Sequence, residues 1–171
     1  MALFGVLHAN PPRTASPTAR QLYDFLSDHP TGVLATVDPN GEPHAVTIYY
    51  NITPDLDITF VTKQRTKKHD NLVHHNHAML VIYDDLQQTS IQIRGIATTI
   101  TGRHLRQEAL RHTLRASLHQ GRNAVPPIAK IDAGDIVGYQ LRPVEIKIAA
   151  YAPPAVRTFT ERFETITLPL A

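Results

Sequence analysis

Six runs of alternating apolar and polar residues, each closed by a turn signal, constrain this 171-residue chain more than any other feature. They begin at Gly32 with GVLATVD, resume after Pro39–Asn40–Gly41 as PHAVTIYYNI, and after Pro54–Asp55 as DITFVT. AMLVIYD, TSIQIRGIATTIT and IVGYQLRPVEIKIAAY complete the set. A period of two places alternate side chains on one face of a strand, and connections this short join antiparallel neighbours. Gly95, midway along the fifth run, is expected at a bulge or a close approach by another group. Pro143, in the sixth, is expected at an edge or a bend.

Helical spacing is confined to three places. Ser16 followed by Pro17 reads as an N-cap with proline at the first helical position, and Leu22, Phe25 and Leu26 continue the pattern until His29–Pro30 stops it. Thr66 to Asn76 reads as a short helix or turn. Arg103 to Gln120 carries Leu105, Ala109, Leu110, Leu114 and Leu118 as an amphipathic stripe ended by Gly121. Six strands with so little helix predict a mainly β chain, a six-stranded antiparallel barrel, closed or split, with flanking helices. Residues 1–15 read as a proline-marked leader, 16–152 as the barrel domain and 153–171 as a tail.

Composition narrows the chemistry. Cysteine is absent, which excludes disulfides, a thiol nucleophile and thiolate metal sites, and makes the cytoplasm the expected compartment. The opening MALFGVLHANPPR has too short an apolar run for a secretory signal, and no run approaches the ~18 apolar residues of a membrane span. Lys and Arg total 17 against 15 Asp and Glu, a near-balanced surface that does not indicate nucleic-acid binding.

One segment concentrates chemistry. In FVTKQRTKKHDNL, a β run opens directly into hydroxyls and cations, so that Thr62, Thr66, Lys67 and Lys68 lie within reach of one anion. A phosphate monoester is held well by hydroxyl donors, ammonium groups and the free N–H groups of a helix start, and this segment supplies all three. A solvated surface cluster of Lys63, Arg65, Lys67 and Lys68 is the plain alternative, and the segment alone leaves both open.

Elsewhere the plain readings prevail. His69, His74, His75 and His77 lie close together, but only His74 and His77 share a helical face and no metal-ligand pattern is present, so solvated histidines are expected and no metal site. Tyr49, Tyr50 and Tyr83 read as strand aromatics packing a barrel wall or a dimer interface. Asp84–Asp85 sits in a turn, and no acid, base or nucleophile stands out. That absence suits a cofactor that carries the chemistry itself.

The order GVLATVDPNGEPHAVTIYY, FVTKQRTKKHDNL, MLVIYD, SIQIRGIATTITG resembles the FMN-binding split barrel of the pyridoxamine 5′-phosphate oxidase-like superfamily, from about Leu22 to Tyr151. The resemblance implies a homodimer with one FMN in each of two grooves at the subunit interface. It implies phosphate contacts from Thr62, Thr66, Lys67 and Lys68, with main-chain contact from Val61. It places Val46, Thr47 and Ile48 along the flavin ring and Ser90 at the ring's polar edge, where the family has a longer glutamine. The family's arginine and lysine on the second strand are replaced by Val46 and Asn51, and its C-terminal arginine-bearing substrate segment is not recognisable in VGYQLRPVEIKI. The chain is thus more similar to the general-stress-protein and flavoreductase branches than to the vitamin-biosynthetic oxidase. The function so implied is a flavin-dependent oxidoreductase acting on a small molecule. A deazaflavin-dependent reductase, or a non-catalytic protein binding or sensing flavin, haem or pyridoxal phosphate, are the alternatives.

Overall fold

Each β run carries an apolar face that must be covered, and neighbours of the same period cover it most simply by curling into one sheet. The computed structural model describes residues 5–8, 17–118, 135–152, 155 and 163–167. Its strands are β1 (Gly5–His8), β2 (Thr31–Val37), β3 (Pro43–Tyr49), β4 (Asn51–Ile52), β5 (Ile58–Lys63), β6 (His77–Asp84), β7 (Thr89–Thr99), β8 (Ile136–Ala150) and β9 (Phe163–Thr167). Its helices are α1 (Pro17–Asp28), α2 (Lys67–His74) and α3 (Arg103–Leu118). The strand order is β1-β9-β8-β7-β6-β2-β3, with β5 also on β8 and β4 on β5. Every ladder is antiparallel except that of β1 with β9. The terminal strand β3 comes within 8 Å of β5, whose other edge is paired only at Ile58 and Thr59, with β4. No ladder joins β3 to β5 among the described residues, so the barrel is split along that line.

All six anticipated strands are present, as β2, β3, β5, β6, β7 and β8. Three short strands join these six, giving nine among the described residues. β1 falls in the segment read as a leader, β9 in that read as a tail, and β4 has two residues. Ser16, Gly121 and the loop between α3 and β8 lie outside the described residues.

The barrel is filled by the alternate residues that the pattern marked. Leu34, Phe60, Leu80, Ile91, Ile93, Leu141 and Ile146 are wholly buried, and α1 adds Ala19, Leu22, Phe25 and Leu26. Tyr50 is buried with them, its hydroxyl donating to the Leu26 carbonyl at 3.0 Å.

Gly95 and Pro143 face each other at a register shift. Arg94 pairs with Glu145 but Gly95 with Pro143, which leaves Val144 as the extra residue of a bulge. On its other edge β8 is paired with β5 as far as Leu141 and with β9 from Glu145, so the missing N–H of Pro143 falls where the strand changes partner. A Cβ on Gly95 would lie 2.6 Å from the Arg142 carbonyl oxygen and 2.9 Å from Leu141 Cδ1, so backbone must move to admit one. Gly95→Ala is therefore expected to cost about 1–3 kcal/mol of stability, read as a lower urea midpoint at unchanged slope.

A histidine–carboxylate contact fastens the end of α1 to the β6–β7 turn. His29 stacks on Phe25 and turns Nδ1 to the Phe25 carbonyl at 2.7 Å and Nε2 to Asp84 Oδ2 at 2.9 Å. Both nitrogens face oxygen acceptors, so both contacts are hydrogen bonds when the ring carries both protons. Burial works against the Asp84 carboxylate, but the Gln87 amide and His29 outweigh it and hold the carboxyl below its ordinary value of 3.8. A depressed carboxyl contributes stability that is complete above its unfolded pKa and disappears as pH falls through the folded one. The melting-temperature gap between wild type and Asp84→Asn should thus be full at pH 7 and close below about pH 4.

The outward face is apolar on one side. Val33 is 41 % exposed, Val37 40 % and Tyr83 57 %. Ladder pairing sets Val33 beside Val81 and Ala35 beside Met79, while Arg94, Glu145 and Lys147 make the β7–β8 side charged.

Candidate functional site

Residue 62 is where β5 leaves the core. Its side chain is the last inward one of the strand and is 4 % exposed, so a hydroxyl there needs a partner. It has Thr66 Oγ1 at 3.1 Å, and Thr66 Oγ1 in turn donates to the Lys63 carbonyl at 2.9 Å. With the Thr66 proton used on Lys63, Thr62 is the donor within the pair.

Thr66 occupies the N-cap position of α2, with φ −127° and ψ 144°, yet its side chain makes no cap. Its carbonyl accepts the amides of His69 at 2.9 Å and Asp70 at 3.1 Å. The amides of Lys67 and Lys68 point out of the helix start with no intrahelical acceptor, at the positive end of the helix dipole. Lys68 is half-buried, and burial holds its ammonium below the ordinary value of 10.5. Lys67 is more open, its Nζ 3.9 Å from Asp38 Oδ2. Asp38 is pinned by the amides of Asn40 and Glu42, both at 2.9 Å, and the Glu42 amide is the main cause holding its carboxyl low. The helix is fastened on two sides: Asn71 Nδ2 donates to Thr36 Oγ1 on β2 at 2.9 Å, and His69 Nδ1 meets the Tyr139 hydroxyl on β8 at 2.8 Å.

Val46, Thr47 and Ile48 lie on β3, which ends the sheet and has no ladder partner on its outer edge among the described residues. Ile48 is buried, Val46 packs against the core and Thr47 points outward. What this strand offers a ligand is therefore its open main-chain edge. Val61 turns its side chain away from Thr62, into a cluster with Ala109 and Ile136 beneath α3, so it too can offer only main chain. The open edge of β3 lies near β5, beyond the two residues of β5 that pair with β4, and the helix α2 lies against β3.

Ser90 is not brought to this region within one chain. It opens β7 opposite Tyr83 and Ala149, whereas Thr62 is paired with Val137, beyond the level at which Tyr139 meets Thr99. Their levels are most of β7 apart, roughly 30 Å measured along the strand at the usual rise.

Other groups converge that the sequence did not reveal. Asn51, at the place of the family's lysine, shares a cavity of about 250 Å³ with Tyr23 and Ser27 of α1 and with His112 and Arg115 of α3. The spacing of His112 and Arg115 on one helix face was the available signal, but nothing local ties that face to β4. His74 Nδ1 donates to the Asp70 carbonyl at 2.8 Å, and no three metal-ligating side chains come together among the described residues. None of the described helices is long and apolar enough to cross a membrane.

The sequence profile of the family described as pyridoxamine 5′-phosphate oxidase matches residues 18–147. No curated protein matches the sequence. Among solved structures, a pyridoxamine 5′-phosphate oxidase-related, FMN binding protein from Nostoc punctiforme is similar at 16 % identity and TM-score 0.60, over 93 % of this chain and 100 % of that one. A putative pyridoxamine 5′-phosphate oxidase from Listeria innocua is similar at 18 % identity and TM-score 0.59, over 77 % and 97 %. A heme binding protein from Mycobacterium smegmatis is similar at 18 % identity and TM-score 0.62, over 93 % and 59 %. At these identities the likeness is one of fold.

Proposed function

The chain belongs to the pyridoxamine 5′-phosphate oxidase family, and from that premise we propose that it binds FMN in the groove between β3 and β5 and serves as an oxidoreductase for a small molecule. The observation that carries this reading is the uncapped start of α2. A threonine at the N-cap position ordinarily satisfies the free amides. Thr66 instead donates its hydroxyl to the Lys63 carbonyl and pairs with Thr62, which leaves two amides free at the positive end of the dipole, in the turn that carries the half-buried Lys68. A cation short of solvation gains most from an anion, and a phosphate monoester fits this donor set. Val46 and Ile48 would hold the ring by the open edge of β3, in the manner of a partial strand pairing.

Bound flavin supplies the hydride chemistry. The chain's part is to bind the phosphate, orient the ring against β3 and present an acceptor beside it. The cavity lined by Asn51, His112 and Arg115 opens where β3 ends and is where an acidic acceptor would be held.

Two copies are required by this reading. Ser90 lies a full strand away from Thr62 in one chain, so it can address the ring only if a second copy contributes it, and the apolar outward face of β2 and β6 gives that copy a surface to cover. The lack of cysteine favours a cytoplasmic setting.

The visible spectrum of the purified protein tests the cofactor. A flavin band, with FMN released by heat, supports the reading; a Soret band, or failure of a colourless sample to take up added FMN, would overturn it. Oxidation of reduced nicotinamide by the flavin-loaded protein then separates an oxidoreductase from a protein that only binds.

A further inference from the structure

An uncapped eight-residue helix should fray at its first turn, because the N-terminal cap it forgoes contributes about 1 kcal/mol to helix starts. Something must hold that turn if its amides are to receive an anion. Tyr139 meets the need: its side chain is 2 % exposed, stacks on Phe60 at 5.5 Å, and sets its hydroxyl 2.8 Å from His69 Nδ1. His69 is the third residue of α2, in the same turn as Lys67 and Lys68, and its ring meets Tyr139 edge-on at 6.0 Å. Tyr139 stands two residues along β8 from Val137, the partner of Thr62. One hydrogen bond thus joins the helix turn that bears the lysines to the strand that fixes the threonine. Burial, and then the charge of Asp70, push the phenol's pKa up, so it remains a protonated donor.

We infer that His69 and Tyr139 are positioning residues for the anion clamp, holding the first turn of α2 in register with Thr62 in place of the N-cap that Thr66 does not make. The inference rests on the reading of the groove as a phosphate site. Each hydrogen bond to an anion weakens steeply as its distance and angle drift, so a turn free to fray offers its amides for only part of the time. Riboflavin has the same ring without the phosphate and does not depend on this turn.

Titrating FMN and riboflavin into wild type, Tyr139→Phe, His69→Ala, His69→Asn and Lys68→Ala tests it. Tyr139→Phe keeps the stack on Phe60 and removes only the hydroxyl, so it carries the test if His69→Ala proves unstable. FMN affinity should fall about three- to tenfold in Tyr139→Phe and His69→Ala, the effect of losing one hydrogen bond. Riboflavin affinity should stay constant, and His69→Asn, which keeps an acceptor near Nδ1, should recover most of the FMN affinity. An unchanged ratio of FMN to riboflavin affinity in these variants, while Lys68→Ala lowers it, would overturn the inference and leave the phosphate site standing. Equal losses for both ligands would reduce the pair to a structural contact and overturn it as well. If Lys68→Ala also changes nothing, the phosphate reading fails and this inference with it.

Discussion

Replacing Lys68 with alanine is expected to weaken FMN binding by about ten- to a hundredfold and to leave riboflavin binding unchanged, because a charge-assisted contact of this kind contributes about 1.5–3 kcal/mol. Lys68 is singled out over Lys67 by its surroundings. Lys67 is open to water and shares its charge with Asp38, so an anion gains less from it. Lys68 is half-buried, and burial already disfavours its charge. That penalty sets the sign of a second effect. An ammonium whose folded pKa lies below the unfolded value costs the empty protein stability at neutral pH, and the cost is relieved as pH rises through the folded and unfolded values. The ligand-free Lys68→Ala protein should thus melt no lower than wild type, while the increase in melting temperature that FMN gives wild type shrinks. Titration calorimetry with both ligands and melting curves with and without FMN read the two effects separately. Equal FMN affinity in the two proteins, or equal losses for FMN and riboflavin, would show that Lys68 does not meet a phosphate.

The parts of this site that the sequence made visible are local. Thr62, Thr66, Lys67 and Lys68 span seven consecutive positions, and a strand running into a helix start brings them together whatever the rest of the chain does. The six long strands were visible for a similar reason, since each carries its own period of two. Gly95 was visible because a glycine inside such a period needs a cause, and the Arg142 carbonyl is that cause. What escaped depends on contacts between distant positions. His69 and Tyr139 are 70 residues apart, and a tyrosine on a strand reads as wall packing until its hydroxyl is seen to meet a helix. The pairing of β1 with β9 joins Gly5 to Glu164, and neither segment has a long enough run to announce a strand. Ser90 differs from these: its position in the pattern was legible, but its distance from Thr62 within one chain was not, because register along β7 and β8 is a property of the folded sheet.

Val33→Asp is expected to turn a dimer into a monomer and to abolish FMN binding at concentrations where wild type is saturated. In a lone chain Val33 is 41 % exposed on the outward face, and an aspartate there should change stability by no more than about 0.5 kcal/mol. Its ladder neighbours are Thr47 on β3 and Val81 on β6, and no cationic side chain stands directly across from it on either strand. Across an interface between two copies the same substitution buries one carboxylate from each protomer without a counter-charge, at a cost of several kcal/mol apiece. The folded monomer should therefore survive while the assembly does not. Loss of flavin follows from the proposed two-copy site, in which Ser90 of one chain completes the binding surface of the other. Leu86→Asp is the matched control, since Leu86 is 87 % exposed in the β6–β7 turn, outside the strands β2 and β6, and it should stay dimeric and bind FMN. Light scattering gives the mass and an FMN titration the binding in each case. A Val33→Asp protein that remains dimeric would move the interface to another face, and a monomer that binds FMN as wild type does would put the whole site within one chain.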